Sequence, residues 1–94
     1  MRLSSQEKNV IVEAVLHLDA KARIYLFGSR VDNRQKGGDI DILVLSECLT
    51  FRDKLKIKAI IFKKMEEQKI DLVVARNESD PFVKIALETG VRLN

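Results

Sequence analysis

The sequence predicts a single α/β (α+β) domain over residues 1–94, in which helices flank a small mixed β-sheet. Three segments repeat apolar side chains at helical spacing and three short runs are rich in β-branched residues, in the order helix, strand, strand, helix, strand, helix. The composition, 46% hydrophobic and 33% charged, is that of a globular domain with one core. The single cysteine, Cys48, excludes an internal disulfide.

The first two elements should be a helix and a strand. Ser4 and Glu7 have the spacing of a capping box, so a helix should begin there and run to about Asp19. Residues 23–27, Arg-Ile-Tyr-Leu-Phe, stop abruptly at Gly28, which predicts a strand leading into a tight turn. The apolar face of the helix should consist of Ile11, Ala14, Val15 and Leu18.

The second strand, residues 39–45, carries two carboxylates in a run of Ile, Leu and Val. Because side chains alternate along a strand, Asp39 and Asp41 should project from one face, while Ile40 and Ile42 project from the other. Both carboxylates therefore lie at one end of an otherwise buried strand.

A basic helix should follow, with Thr50 and Asp53 at its start. Residues 50–69 hold seven basic side chains against three acidic ones. That excess indicates either a solvated helix face or a surface for an acidic protein, RNA or a phosphorylated ligand, with Lys54 and Lys58 on the outer side. The apolar stripe beneath the lysines should comprise Phe51, Leu55, Ile57, Ala59, Ile61, Phe62 and Met65.

The last two elements are a strand and a helix. Residues 70–74 form an apolar run with a third carboxylate, Asp71, near its start. Asp80 and Pro81 then supply a cap and a first-turn proline, and Gly90 stands where a helix should stop. The side chains of this helix that face the core should be Phe82, Ile85 and Ala86.

Three aspartates at the starts of apolar strands carry the chemistry. Two like charges about 4 Å apart repel by roughly 4 kcal/mol at an effective dielectric constant near 20. Asp39, Asp41 and Asp71, if gathered, would therefore either take up a proton or bind a divalent cation. Oxygen ligands of this kind suit Mg²⁺, which commonly shares one or two carboxylates with the phosphates of a nucleoside triphosphate.

The segment Gly28-Ser29 supplies a complementary phosphate grip. A glycine at a strand end allows the backbone to approach a ligand, and the N–H groups and the Ser29 hydroxyl can donate to phosphate oxygens. Arg30 adds positive charge beside them. The P-loop pattern is missing from the sequence, so this is another kind of nucleotide site.

Gly28-Ser29, nine residues and then Asp39-x-Asp41 resemble the nucleotidyltransferases that share a fold with polymerase β. The likeness extends over most of the chain, through the strand with Asp71 to the ending from Asp80, and is greatest to the minimal nucleotidyltransferases. These small prokaryotic proteins often act as antitoxins of helical HEPN (higher-eukaryote and prokaryote nucleotide-binding) toxins. The spacer is shorter by one residue than in many relatives and ends in Gly37-Gly38.

This resemblance implies roles for the matching residues. Gly28, Ser29 and Arg30 would hold the triphosphate of ATP, Asp39 and Asp41 would bind Mg²⁺, typically two ions, and Asp71 would complete the metal site or activate the attacking hydroxyl. The reaction would transfer AMP to a hydroxyl of a partner protein, a HEPN-type toxin.

Two other functions remain open. One is a binding module that neutralises its toxin by occlusion. The other is transfer to a small molecule, which would require self-association, or transfer to an RNA end. Only the basic helix favours RNA. The sequence contains no apolar run long enough to span a bilayer and no secretory signal, so we expect a cytoplasmic protein without a membrane partner.

Overall fold

The computed structural model describes residues 3–31, 39–65 and 69–94. Its elements follow the predicted order, with a short strand added near the end of the chain. They are α1 (Ser5–Leu18), β1 (Arg23–Phe27), a 3-10 turn (Gly28–Val31), β2 (Ile40–Leu45), α2 (Phe51–Met65), β3 (Ile70–Ala75), α3 (Pro81–Thr89) and β4 (Val91–Arg92). Within these ranges, no helix is long and apolar enough to cross a membrane.

The strands form one mixed sheet in the order β3-β2-β1-β4. β1 is antiparallel to both β2 and β4. β2 and β3 are parallel, because α2 returns the chain to the end of the sheet at which β2 begins. The predicted fold class, a small mixed sheet flanked by helices, is confirmed.

Local capping signals fix where the helices begin. At α1, the Ser4 hydroxyl accepts a hydrogen bond from the Glu7 backbone N–H at 3.1 Å, and the Glu7 carboxylate accepts one from the Ser4 N–H at 2.9 Å. At α3, the Asp80 carboxylate accepts from the Phe82 N–H at 2.8 Å. These bonds satisfy backbone donors that have no partner within the helix, so both predicted helix starts are confirmed.

The two faces of the sheet are covered unequally. α1 and α2 pack on the face that carries Ile40, Ile42 and Val44, and together they form the main core. The other face is covered by the shorter α3, which packs on Leu43 and Leu45. The alternation predicted for β2 is therefore confirmed, and it leaves Asp41 on the α3 face.

The predicted apolar stripe of α2 is wrong in part. Ile57 and Ile61 are buried, but Phe51 is 72% exposed, Leu55 52% and Phe62 47%. A helix that packs on one layer buries only one side, and the apolar residues of α2 are spread over more than half of its circumference.

The predicted inner face of α3 is also wrong in part. Ala86 is buried as expected, whereas Phe82 and Ile85 are exposed and Val83 takes the inner position. In so short a helix the inner face is set by how it lies on Leu43 and Leu45, and its own pattern is apolar on several sides.

β4 was not predicted from the sequence. Its two residues pair with β1, and the Leu93 N–H then donates to the Ile24 carbonyl at 2.8 Å. Gly90 stands at the end of α3 as expected, but with φ −88° it needs no left-handed conformation. A Cβ there would lie 2.8 Å from the Leu26 carbonyl oxygen, so this glycine lets the chain approach β1 closely.

Candidate active site

The site begins where β1 ends at Gly28. This glycine has φ +77°, a left-handed conformation that other L residues rarely adopt. Its neighbour Phe27 is paired with Asp41 across the antiparallel strands, and a Cβ on Gly28 would overlap the Oδ2 atom of Asp41. Glycine therefore both turns the chain into the 3-10 turn and brings its backbone against a carboxylate.

Asp41 and Asp71 occupy neighbouring positions on the parallel strands β2 and β3. Asp41 is partly buried and Asp71 is exposed. Burial raises the pKa of Asp41, and the negative charge of Asp71, a hydrogen bond between the two carboxyls and the charge of Asp39 raise it further. The strands thus bring two like charges together at the position where a proton or a cation would relieve their repulsion.

Asp39 lies one residue before β2, and its carboxylate makes an ion pair with Lys69. The Asp39 Oδ2 atom lies 3.6 Å from Lys69 Nζ, with the lysine side chain 77% exposed. An exposed pair of this kind contributes less than about 1 kcal/mol, so a stronger partner could displace the lysine. The structure therefore places Asp41 and Asp71 side by side in the strand register, with the charge of Asp39 close enough to raise the pKa of Asp41.

The carboxylates form no complete cation site by themselves. Over residues 3–31, 39–65 and 69–94, no group of three or more His, Cys, Asp or Glu side chains is placed so that it could hold a metal ion. The donor set of the Asp41–Asp71 pair is nonetheless oxygen only, as Mg²⁺ prefers, and Mg²⁺ commonly takes just one or two protein carboxylates and completes its shell with water and phosphate. The pair therefore fits Mg²⁺ that arrives with a triphosphate.

Comparisons with known proteins connect this geometry to a family. Residues 8–93 match the family described as the nucleotidyltransferase domain. This chain belongs to that family. No curated protein matches it.

The nucleotidyltransferase is also similar to a solved structure. The match is to the complex of tri-AMPylated Shewanella oneidensis HEPN toxin with MNT antitoxin, with a TM-score of 0.67 and 26% sequence identity. It covers 95% of this chain and 70% of that one. The predicted resemblance to minimal nucleotidyltransferases of the polymerase β-like superfamily is confirmed.

Other predicted residues of the nucleotidyltransferase site are seen only in part. Ser29 and Arg30 belong to the 3-10 turn that follows β1, which places their backbone next to Gly28, while their side chains are not among the described features. The remaining spacer, residues 32–38 with Gly37-Gly38, lies outside the described residues. The position of this spacer relative to the aspartates stays a prediction.

Sequence reasoning missed two neighbours of the site. Lys69 precedes β3 by one residue as Asp39 precedes β2, so a parallel register would have placed them side by side. Phe82, expected in the core, instead packs its ring edge-on against Phe27 with centroids 5.7 Å apart and remains 48% exposed. This contact between Phe27 and Phe82 depends on where α3 lies on the sheet, which the sequence pattern does not give.

Proposed function

We propose that this nucleotidyltransferase moves AMP from ATP, with Mg²⁺, onto a hydroxyl of a partner protein, and that the partner is a HEPN-type toxin. The chain would then act as the antitoxin of the pair. The similarity to an MNT antitoxin, solved with an AMPylated HEPN toxin, supports the kind of reaction and the partner.

The observation that carries the proposal is the register pairing of Asp41 with Asp71 beside Gly28. Nothing in the packing of the sheet requires two carboxylates in register, and burial of one of them opposes folding. Gly28 keeps a side chain away from the same spot. A conformation that costs folding energy at a strand end is typical of a site kept for function.

Each residue has a distinct task in the proposed reaction. The backbone at Gly28 and the turn with Ser29 and Arg30 would hold phosphate oxygens, and Asp41, joined by Asp39, would hold Mg²⁺ beside the Asp71 carboxylate. When bound, Mg²⁺ neutralises charge on the phosphates and aligns them. The acceptor oxygen forms a bond to the α-phosphorus, the bond to the pyrophosphate oxygen breaks, and the acceptor proton passes to the Asp71 carboxylate.

The test mixes the full chain with a HEPN-type partner, radiolabelled ATP and Mg²⁺. We expect label on the partner and a mass increase of one nucleoside monophosphate. Asp41→Asn and Asp71→Asn should each lower the rate by at least about a hundredfold. Asp53→Asn is the matched control, because it makes the same chemical change at the opposite end of the sheet, and should leave the rate unchanged. Nucleotide binding without labelling of the partner would rule out the proposed transfer.

Occlusion without catalysis is the second candidate. It is favoured by the ion pair between Asp39 and Lys69, which occupies one of the predicted Mg²⁺ ligands. The double variant Asp39→Asn, Asp41→Asn separates the two functions in a toxicity assay. Neutralisation should be lost while complex formation persists if transfer is required, and full neutralisation by the double variant would establish occlusion.

A further inference from the structure

We propose that the outer side of α2 docks an amphipathic helix of another protein whose apolar seam is flanked by carboxylates. The surface consists of Phe51, Leu55 and Phe62, called here the outer stripe. It goes beyond the proposed transfer reaction, since α2 packs on the face of the sheet opposite Asp41.

The outer stripe lies along one side of α2. Positions 51, 55 and 62 follow each other by four and seven residues, a spacing that keeps side chains on one side of a helix. The stripe is about 16 Å long at 1.5 Å per residue. Its members are 72%, 52% and 47% exposed, although α2 already buries Ile57 and Ile61 on its inner side. Large parts of these three side chains therefore remain open to solvent.

Cations flank the outer stripe on both sides. At 100° per residue, Lys54 and Lys58 fall along one edge, and Arg52, Lys56 and Lys63 fall along the other. The only acidic residue from 51 to 65 is Asp53, which lies in the first turn and accepts hydrogen bonds from the backbone N–H and the hydroxyl of Thr50. An apolar seam between two rows of like charge is the arrangement that pairs with a helix carrying the opposite charge at its flanking positions.

This charge pattern favours one occupant over three others. A second copy of the chain would place the cationic rows against each other. A nucleic acid would satisfy the cations but leave Leu55 without an apolar partner. An anionic membrane requires a wide apolar face, whereas the stripe is about one side chain wide between its charged rows. A helix with a leucine seam and glutamate flanks satisfies both the stripe and the cations.

The experiment uses two synthetic helical peptides with the full chain. Both carry leucine at heptad positions a and d, and they differ only in glutamate or lysine at e and g. We expect fluorescence anisotropy to show the glutamate peptide binding at least about tenfold more tightly than the lysine peptide, and more weakly as salt is added. Leu55→Ser and Phe62→Ser should each weaken the binding about tenfold.

Ile85→Ser is the matched control, because Ile85 is a 60% exposed apolar residue on α3. It should bind the glutamate peptide as the unchanged chain does. Circular dichroism of each variant confirms the fold, which substitutions at exposed positions should preserve. Equal binding of the two peptides, or unchanged binding by Leu55→Ser and Phe62→Ser, would overturn the proposal.

Three further results would assign the stripe to another occupant and also overturn the proposal. They are dimerisation in sedimentation, binding to phosphatidylglycerol vesicles, and binding to transfer RNA. Each would count if Leu55→Ser abolishes it and the unchanged chain does not bind the glutamate peptide. The docking proposal and the transfer proposal can be disproved independently of each other. Asp41→Asn should bind the peptide normally, and loss of transfer alone leaves the docking surface intact.

Discussion

Asp41 and Asp19 lie towards opposite ends of the sheet and have opposite surroundings. Asp41 lies beside Asp71 where β2 and β3 begin, and burial together with the charge of Asp71 raises its pKa. Asp19, which ends α1, accepts a hydrogen bond from the Ser46 hydroxyl at 2.5 Å and one from the Lys21 N–H at 3.0 Å. These bonds, the one from Ser46 foremost, lower its pKa.

The difference separates the proposed site at Asp41 from a junction at Asp19 that stabilises the fold. Ser46 is buried after β2 and its hydroxyl also accepts hydrogen bonds from the backbone N–H groups of Cys48 and Leu49. A full set of partners around a buried polar group stabilises the fold. At the end with Asp41, by contrast, the carboxylates repel each other, and stability should improve when one of these two charges is removed.

Of the substitutions at the two ends of the sheet, Gly28→Ala should change the free energy of unfolding most. It places a side chain in a left-handed conformation and against Asp41, and we expect it to lower the free energy of unfolding by about 3 kcal/mol. Urea denaturation measures this. The double variant Gly28→Ala, Asp41→Ala should recover part of the loss, because the overlap with the carboxylate is removed. Equal losses in the single and double variants would show that the backbone conformation alone makes glycine necessary.

Asp41→Asn should change stability in the other direction. Without divalent cations, removal of one of two neighbouring charges should raise the free energy of unfolding by about 1 kcal/mol while transfer is lost. Addition of Mg²⁺ and ATP should raise the melting temperature of the unchanged chain and have less effect on the variant. Destabilisation by Asp41→Asn would contradict the view that the site carries a cost.

Asp19→Asn should have the smallest effect and a distinct pH dependence. Because its pKa is lowered in the folded state, the Asp19 carboxylate contributes stability above its ordinary pKa of 3.8, and this contribution is lost as the pH falls through the folded-state value. The unchanged chain should therefore be more stable than Asp19→Asn at pH 7, with the difference shrinking in acid.

Ser46→Ala is the partner substitution for that experiment. It removes the main cause of the lowered pKa, so in its background Asp19→Asn should show a much smaller pH-dependent difference. The measurement is the urea midpoint of the unchanged chain, Asp19→Asn, Ser46→Ala and the double variant, taken from pH 7 down to the lowest pH at which the chain is folded. A difference that stays constant across this range would show that the carboxylate charge is not what stabilises the junction.

Signals that act within a few residues could be predicted from the sequence. The capping pair Ser4 and Glu7, the cap at Asp80 and the alternation along β2 each depend on neighbours in the chain, and each is confirmed. Asp41 was assigned to the correct side of its strand for the same reason. The resemblance to nucleotidyltransferases likewise depended on local spacing around Gly28 and Asp41.

What depended on packing could not be predicted in the same way. Whether Phe51 and Leu55 are buried is decided by which side of α2 meets the sheet, and an apolar pattern on several sides allows more than one answer. The two-residue β4 is too short to give a periodic signal and exists because β1 has an open edge.

The sequence by itself determined the order of the elements and the residue types of the site, because propensity, capping and alternation act locally. Only the tertiary structure decided that Asp41 lies beside Asp71, that Lys69 pairs with Asp39 and that the outer stripe of α2 is left exposed. The physical reason is that these contacts join residues far apart in the chain, and the parallel register of β2 and β3 and the packing of α2 set their distances.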